Sequence, residues 1–290
     1  VLFRSNAGTL QIGSGGSTGT LGTGAVNNSA SLIFNRNVAT SITNTISGTG
    51  SVLAIIAGNL TLASGSSITS SGANIVLSTT GNFINNAGSG ALSTTNGYRW
   101  IVYSSDPASN TFDGLSSGNK AYWGGTYVSL APASVGSGNR YVFSVSDGTV
   151  TATTLPTSKT YGAAAIDLSN SLSYGFSGKA FSASIYGGVY VDSSLADALT
   201  TLPVIASTGN SSTANTSGNY LYSFSTAALV NTGFSYVQLN TANFTVNKAT
   251  VSLSGITKTY DGGVGKGNTT MTIQGVGAET LSFTDAKIGR

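Results

Sequence analysis

Short runs in which aliphatic and polar residues alternate fill the first third of the chain: Thr9 to Ile12, Ser31 to Phe34, Ser41 to Ile46, Ser51 to Ile55, Asn59 to Leu62, Asn74 to Leu77 and Asn82 to Ile84. Leu60-Thr61-Leu62 and Leu32-Ile33-Phe34 show the pattern, and turn signals such as Gly48-Thr49-Gly50 and Asn85-Asn86-Ala87-Gly88 separate the runs. The period predicts strands, and no helical period survives there. Strands this short cannot bury a face alone, and a sandwich built from them would need more large residues than the segment holds. Stacking one small turn many times removes the difficulty, because inward Leu and Ile then pile on their equivalents in the next rung while Ser, Thr and Asn line the outside. With rungs of about 20 residues, residues 6–97 are expected to form about four or five coils rising a little over ~20 Å.

The pattern changes near residue 97. No Tyr, Trp, Pro or carboxylate precedes it; all thirteen Tyr, both Trp, all four Pro and all nine acids follow. Residues 98–155 read as an aromatic connector with strand candidates at Trp100 to Tyr103, Tyr122 to Leu130 and Tyr141 to Val145, and Asp147-Gly148 is a hairpin signal between Val145 and Val150. Trp100 and Trp123 are expected to plug the open end of the coil, whose apolar cross-section must be covered. Beyond Pro156, Lys159-Thr160-Tyr161-Gly162 recurs as Lys258-Thr259-Tyr260-Asp261-Gly262, an offset of 258 − 159 = 99 residues. One module therefore spans 156–247 and a second, truncated one opens over 248–290. Tyr220, Tyr222 and Phe224 share one strand face, as do Phe244 and Val246, and then Val251 and Leu253. The single helix candidate is Leu195 to Leu202, capped by Asp192 or Ser193.

Composition narrows the chemistry. Charged residues are 7% of the 290, against about 25% in an ordinary soluble domain. The net charge of +3 comes from twelve scattered cations without a basic stripe, which disfavours nucleic acid as a partner. The hydrophobic share of 40% is too high for disorder, and the longest aliphatic run, Val52 to Ala57, is strand-sized and not a membrane helix. The absence of Cys removes disulfides, thiol catalysis and zinc-thiolate sites, and is compatible with export. Val1 to Ser5 shows no signal peptide. Leu2-Phe3-Arg4-Ser5 and Ile288-Gly289-Arg290 match translated sequencing adapter, so both ends are set aside and the chain is expected to be an internal fragment.

With no His, the Ser-His-Asp, Cys-His and zincin arrangements are excluded, together with the usual base near neutral pH. Gly15-Gly16-Ser17-Thr18-Gly19 and Gly114-Leu115-Ser116-Ser117-Gly118 formally match a nucleophile elbow but lack a base, and read as turns. The Gly-x-Gly triplets at Gly13, Gly22, Gly48, Gly88 and Gly263, and Gly265-Lys266-Gly267, complete no nucleotide-binding fingerprint. Glycoside cleavage needs two carboxyl groups within about 5–10 Å. The coil offers none, leaving Asp106 with Asp113 and Asp192 with Asp197; Asp192 reads first as a helix cap and Asp261 as a turn residue. Calcium sites need more carboxylates than can gather here. Tyr186, Tyr190, Tyr220, Tyr222 and Tyr236 could stack on sugar rings, although a module poor in Leu and Ile calls on such residues first for its own core.

Leu10-Gln11-Ile12-Gly13-Ser14-Gly15-Gly16, Leu32-Ile33-Phe34-Asn35-Arg36 and Ile46-Ser47-Gly48-Thr49-Gly50 resemble the passenger repeats of bacterial autotransporters. Asn59-Leu60-Thr61-Leu62-Ala63-Ser64-Gly65, Gly81-Asn82-Phe83-Ile84-Asn85-Asn86 and Tyr98-Arg99-Trp100-Ile101-Val102-Tyr103-Ser104-Ser105-Asp106-Pro107 resemble filamentous-haemagglutinin-type exoproteins. The Lys-Thr-Tyr-Gly opening and the ending Asn243-Phe244-Thr245-Val246-Asn247-Lys248-Ala249 are similar to the MBG and YDG modules of large adhesins. These resemblances imply an all-β chain: a right-handed parallel β-helix followed by small Ig-like β-sandwich modules. They further imply an adhesin held at the surface of a Gram-negative bacterium or secreted from it. Its expected partners are host or neighbouring-cell glycans or proteins, and an outer-membrane transporter or barrel during export. Catalytic residues, cofactors and metals are expected to be none. The alternatives are a polysaccharide-degrading β-helix enzyme and a lectin-like module at 156–247.

Overall fold

The computed structural model describes residues 3–230, 233–251 and 271–283. The chain forms two compact units, one drawn from Val1–Thr151, Gly175–Leu202 and Ala227–Val237, the other from Ala152–Tyr174, Pro203–Thr226 and Gln238–Arg290. The first is a parallel β-solenoid of about six turns. Successive turns contribute short strands to three parallel sheets of five, seven and three strands. One sheet runs Phe3–Ser5, Val26–Asn28, Thr45–Ser47, Ser67–Ser70, Leu92–Thr94. The longest runs Thr9–Gly16, Ser31–Arg36, Ser51–Ile56, Ile75–Thr79, Trp100–Ser104, Arg140–Phe143, Tyr122–Trp123. The third holds Thr40–Ile42, Leu60–Leu62 and Phe83–Asn85.

Register is what makes the stack a core. Leu10, Leu32, Val52, Ile75 and Trp100 align across successive rungs of the longest sheet, and Thr40, Leu60 and Phe83 do so in the third. Leu32, Leu60, Leu62, Ile68, Ile75, Leu77 and Phe83 are fully buried. Stacking does not stop at residue 97, because Trp100–Ser104 and Arg140–Phe143 continue the longest sheet; this brings the turns to about six where four or five were expected. Phe3–Ser5, set aside in the sequence, pairs with Val26–Asn28.

Polar corners hold the rungs in shape. Where one strand was expected over Ser41 to Ile46, buried Asn44 splits two strands, its amide donating to the carbonyls of Gly22 (2.6 Å) and Gly24 (2.7 Å) one coil back. At Gly48, with φ +135°, a Cβ would sit 2.1 Å from the carbonyl oxygen of Asn28, so only glycine lets that turn lie against its predecessor.

The expected hairpin at Asp147-Gly148 is not formed. Arg140–Phe143 has parallel partners on both edges, Trp100–Ser104 and Tyr122–Trp123, which leaves no edge for a returning strand. The end of the stack is filled by rings. Trp100 packs edge-on against Tyr141 at 5.1 Å, Tyr141 lies parallel to Phe143, and Trp123 and Tyr190 close over Phe143 at 5.0 and 5.5 Å. Tyr190 comes from the distant stretch Gly175–Leu202, tied down by Ser117 N–H donating to the Val189 carbonyl and Val191 N–H to that of Asn119. The cap thus uses chain far beyond the expected connector. The helix in this stretch is one turn, Leu195–Ala198, and its cap is Ser194, whose N–H and hydroxyl both donate to the Asp197 carboxylate; Asp192 instead accepts from the N–H of Ala183.

Burial raises the phenol pKa values of Tyr141 and Tyr190 and pushes Tyr103 up to about 12. An unfolded tyrosine ionises near pH ~10, so their contribution to stability is complete below about pH 10 and is lost as pH rises through the folded values. The thermal transition should stay level to about pH 10 and then fall steeply. An absorbance titration in which every phenol of the folded chain ionised together near pH ~10 would contradict the burial.

In the second unit, Thr157–Thr160 pairs in parallel with Phe244–Asn247, so the two segments that resemble module ends lie side by side. Ile205–Ala206 pairs antiparallel with Ser223–Phe224, and Met271–Gln274 with Thr280–Phe283. Leu168, Ile205, Ala214, Tyr222, Phe244 and Val246 form its core. Val251 is exposed; Leu253 and the repeat Lys258 to Gly262 lie outside the described residues.

Candidate functional site

The outer face of the longest sheet departs from the expected Ser, Thr and Asn coat. Ile33, Leu53, Val76 and Ile101 align there, as do Asn35, Ile55, Ser78 and Tyr103 in the next column. Apolar side chains on both faces are the signature of a sheet covered on both sides. Near the cap the cover is present: Tyr122, Tyr127, Leu130 and Val135 pack on Ile101, Tyr103 and Val142. Further back along the sheet it stops.

At that edge lies a groove of about 460 Å³, running from Tyr103 past Ser78 and Ile55 to Asn35 and Arg36 under the overhang Gly125–Val128. The overhang was expected to be part of a strand, Tyr122 to Leu130. Only Tyr122–Trp123 is a strand, since Gly124 at φ +67° turns the chain outward. The Tyr103 hydroxyl donates to the Leu130 carbonyl at 2.8 Å and its ring meets Tyr127 edge-on at 5.7 Å, which fixes the overhang to the sheet. Thr126 and Ser129 hydrogen-bond reciprocally within it, and Val128 at its tip is 91% exposed. The lining includes one charged residue, Arg36, and no carboxylate. Arg36 donates to the Ser17 carbonyl through Nη2, while its buried Nε finds no acceptor among the described residues.

The carboxylates considered for catalysis sit elsewhere, and Asp106, Asp192 and Asp197 are occupied. Asp106 accepts from Ala108 N–H and from Lys179, whose ammonium also reaches Asp147 at 3.0 Å. This carboxylate–ammonium–carboxylate cluster joins the connector to Gly175–Leu202, and those two carboxylates hold the Lys179 pKa above its ordinary value. Asp113 is exposed in a left-handed turn (φ +45°). Burial acts to raise the Asp197 pKa, but hydrogen bonds from Lys120 and Ser194 outweigh it and hold the carboxyl below its usual range. The structure therefore joins Asp106 to Asp147 through Lys179, ties Asp197 to Lys120 and sets Asp192 on the N–H of Ala183. Asp261 and the glycines from Gly263 to Gly267 lie outside those residues.

Ser17 is exposed, and Ser116 donates to Val189 and accepts from Gly118 N–H in a turn. Of the five tyrosines, Tyr190 and Tyr222 are core residues, with hydroxyls donating to the Lys179 and Leu155 carbonyls. Tyr186 stacks on Tyr190 at 6.0 Å, Tyr220 donates to the Asn215 carbonyl, and Tyr236 is half-buried. Tyr103, Tyr127 and Val128 were not singled out in the sequence. The usable signal was the unbroken apolar runs Val52 to Ile56 and Ile75 to Leu77, which require an outward apolar face. No group of three or more His, Cys, Asp or Glu side chains is placed to hold a metal, and no helix is long and apolar enough to cross a membrane, among the described residues. Compared with protein-family models, curated proteins and solved structures, the chain matches none of them.

Proposed function

We propose that this chain is a non-catalytic structural and adhesive segment of a large secreted or surface-held bacterial exoprotein of the filamentous-haemagglutinin or autotransporter kind. The observation that carries this reading is the in-register stack, continuous over about six turns and free of carboxylates as far as residue 97, with the acids that follow largely committed to ion pairs and caps. Such a stack resists bending because every rung contacts only its neighbours through many equivalent contacts. Low charge density leaves contact short-ranged, without steering from afar. Residues 156–247 are read as a small MBG-type β module of Ig-like character, and the pairing of its end segments, Thr157–Thr160 with Phe244–Asn247, supports that assignment. Weak contacts repeated along such an exoprotein sum to avidity.

Beads coated with the purified chain should bind a subset of eukaryotic or bacterial cells saturably, and the soluble chain should release no reducing sugar from a polysaccharide panel. Sugar release that disappears in Asp106→Asn or Asp113→Asn would replace this reading with the enzyme alternative.

A further inference from the structure

We propose that the groove under Gly125–Val128 binds a single chain of a neutral, linear polysaccharide, its sugar rings laid across successive rungs along the column Asn35, Ile55, Ser78 and stopping where the overhang covers Tyr103. This rests on the adhesive reading and gives it a ligand class and a place. The four column residues belong to four consecutive strands of one parallel sheet, held in exact register. Adjacent strands are about 4.8 Å apart, close to the length of one ring in an extended sugar polymer, so each of the open rungs at Asn35, Ile55 and Ser78 meets an equivalent part of the ligand.

The chemistry of the lining selects the polymer. Ile55, Tyr127 and Val128 offer apolar surface to the carbon faces of sugar rings, and Asn35, Asn37, Ser78, Thr80 and Ser144 offer amides and hydroxyls to their rims. Val128, 91% exposed, extends that apolar surface to the lip of the groove. One arginine cannot neutralise an anionic polymer, which argues against nucleic acids and polyuronates. An added peptide strand has no edge here, because the strands of the floor are already paired on both sides. Without a carboxylate in the lining, general acid catalysis of glycoside cleavage has no donor, so the ligand is held and not cut.

The test is calorimetric titration of the full chain with cellohexaose, xylohexaose and mannohexaose, with hexagalacturonate and heparin as charged comparators. At least one neutral oligomer should bind, with affinity rising with length up to about the number of rungs spanned. Tyr127→Ala should weaken that binding at least tenfold, and Ser78→Arg, which fills the floor, should abolish it, both with unchanged circular dichroism. If Ser78→Arg fails to fold, Tyr127→Ala and Val128→Ser carry the test. Absence of binding to all three neutral oligomers, a preference for the charged ones, or binding indifferent to Tyr127→Ala and Val128→Ser would overturn the proposal. Cell adhesion that survives Tyr127→Ala would remove the groove assignment and leave the adhesive reading standing. Oligomer cleavage with Tyr127-dependent binding would do the reverse.

Discussion

Trp100→Ala is expected to lower stability by about 3–5 kcal/mol, the cost of truncating a large buried aromatic, and to reduce Tm by roughly 10 °C. The indole is 1% exposed and aligned with Ile75, so it continues the aliphatic column of the solenoid and also begins the aromatic closure of its end. Its removal leaves a cavity facing Tyr141, whose ring is held in turn by Phe112 and Phe143. Those rings are large and mutually wedged, so they cannot collapse into the space. Trp100→Phe should recover most of the loss. Calorimetry of the three proteins decides, and a Trp100→Ala melt within about 1 kcal/mol of wild type would mean that the closure is not part of the cooperative core.

The second large effect falls on a polar residue. Asn85 is fully buried; its amide donates to the carbonyls of Gly88 and Phe112, both at 2.8 Å, and its Oδ1 accepts from Ala87 N–H. One side chain thus closes its own corner and ties it to the segment stacked above. Asn85→Ala removes three hydrogen bonds and leaves the Ala87 N–H without its acceptor, while the Gly88 and Phe112 carbonyls keep the N–H groups of Ala91 and Leu115; it should cost about 2–3 kcal/mol, each lost hydrogen bond contributing about 0.5–1.5. Asn59 is the contrast: half-buried, it accepts from Asn82 N–H, and its replacement should cost about 1 kcal/mol. Equal effects at the two positions, measured by denaturant titration, would show that the corner amides act through general polarity and not through burial.

The sequence exposed the solenoid where rungs carry two aliphatics in alternation, as in Leu60-Thr61-Leu62. It hid Val26–Asn28, Ser67–Ser70 and Leu92–Thr94, each of which presents a single aliphatic and takes its burial from the neighbouring rungs. A period cannot be read from one point. The hairpin expectation at Asp147-Gly148 followed correct local chemistry, but parallel pairing on both sides of Arg140–Phe143 overrode it. Asp147 serves Lys179 instead.

The candidate site was the least legible part. Its floor comes from residues about 20 positions apart that only register brings together, Asn35 with Ile55 and then Ser78 with Tyr103. Its overhang looked like strand because Tyr127 and Val128 favour one, and Gly124-Gly125 was the break that mattered. The cap was half legible: both tryptophans precede residue 124, whereas Tyr190 arrives from a stretch whose sequence shows no sign of belonging with the coil.

Stacking in register is the premise for solenoid, cap and groove alike, and the cysteine-free chain allows it to be measured by cross-linking. Ser41 and Thr61 are paired neighbours on adjacent rungs, about 4.8 Å apart and inside the ~7 Å limit for a disulfide. Under mild oxidation Ser41→Cys with Thr61→Cys should close almost completely, while Ser41→Cys with Ala63→Cys, two residues out of step, should stay reduced. A register pair that remains open in a protein with native circular dichroism, or an offset pair that closes as readily, would contradict the stack.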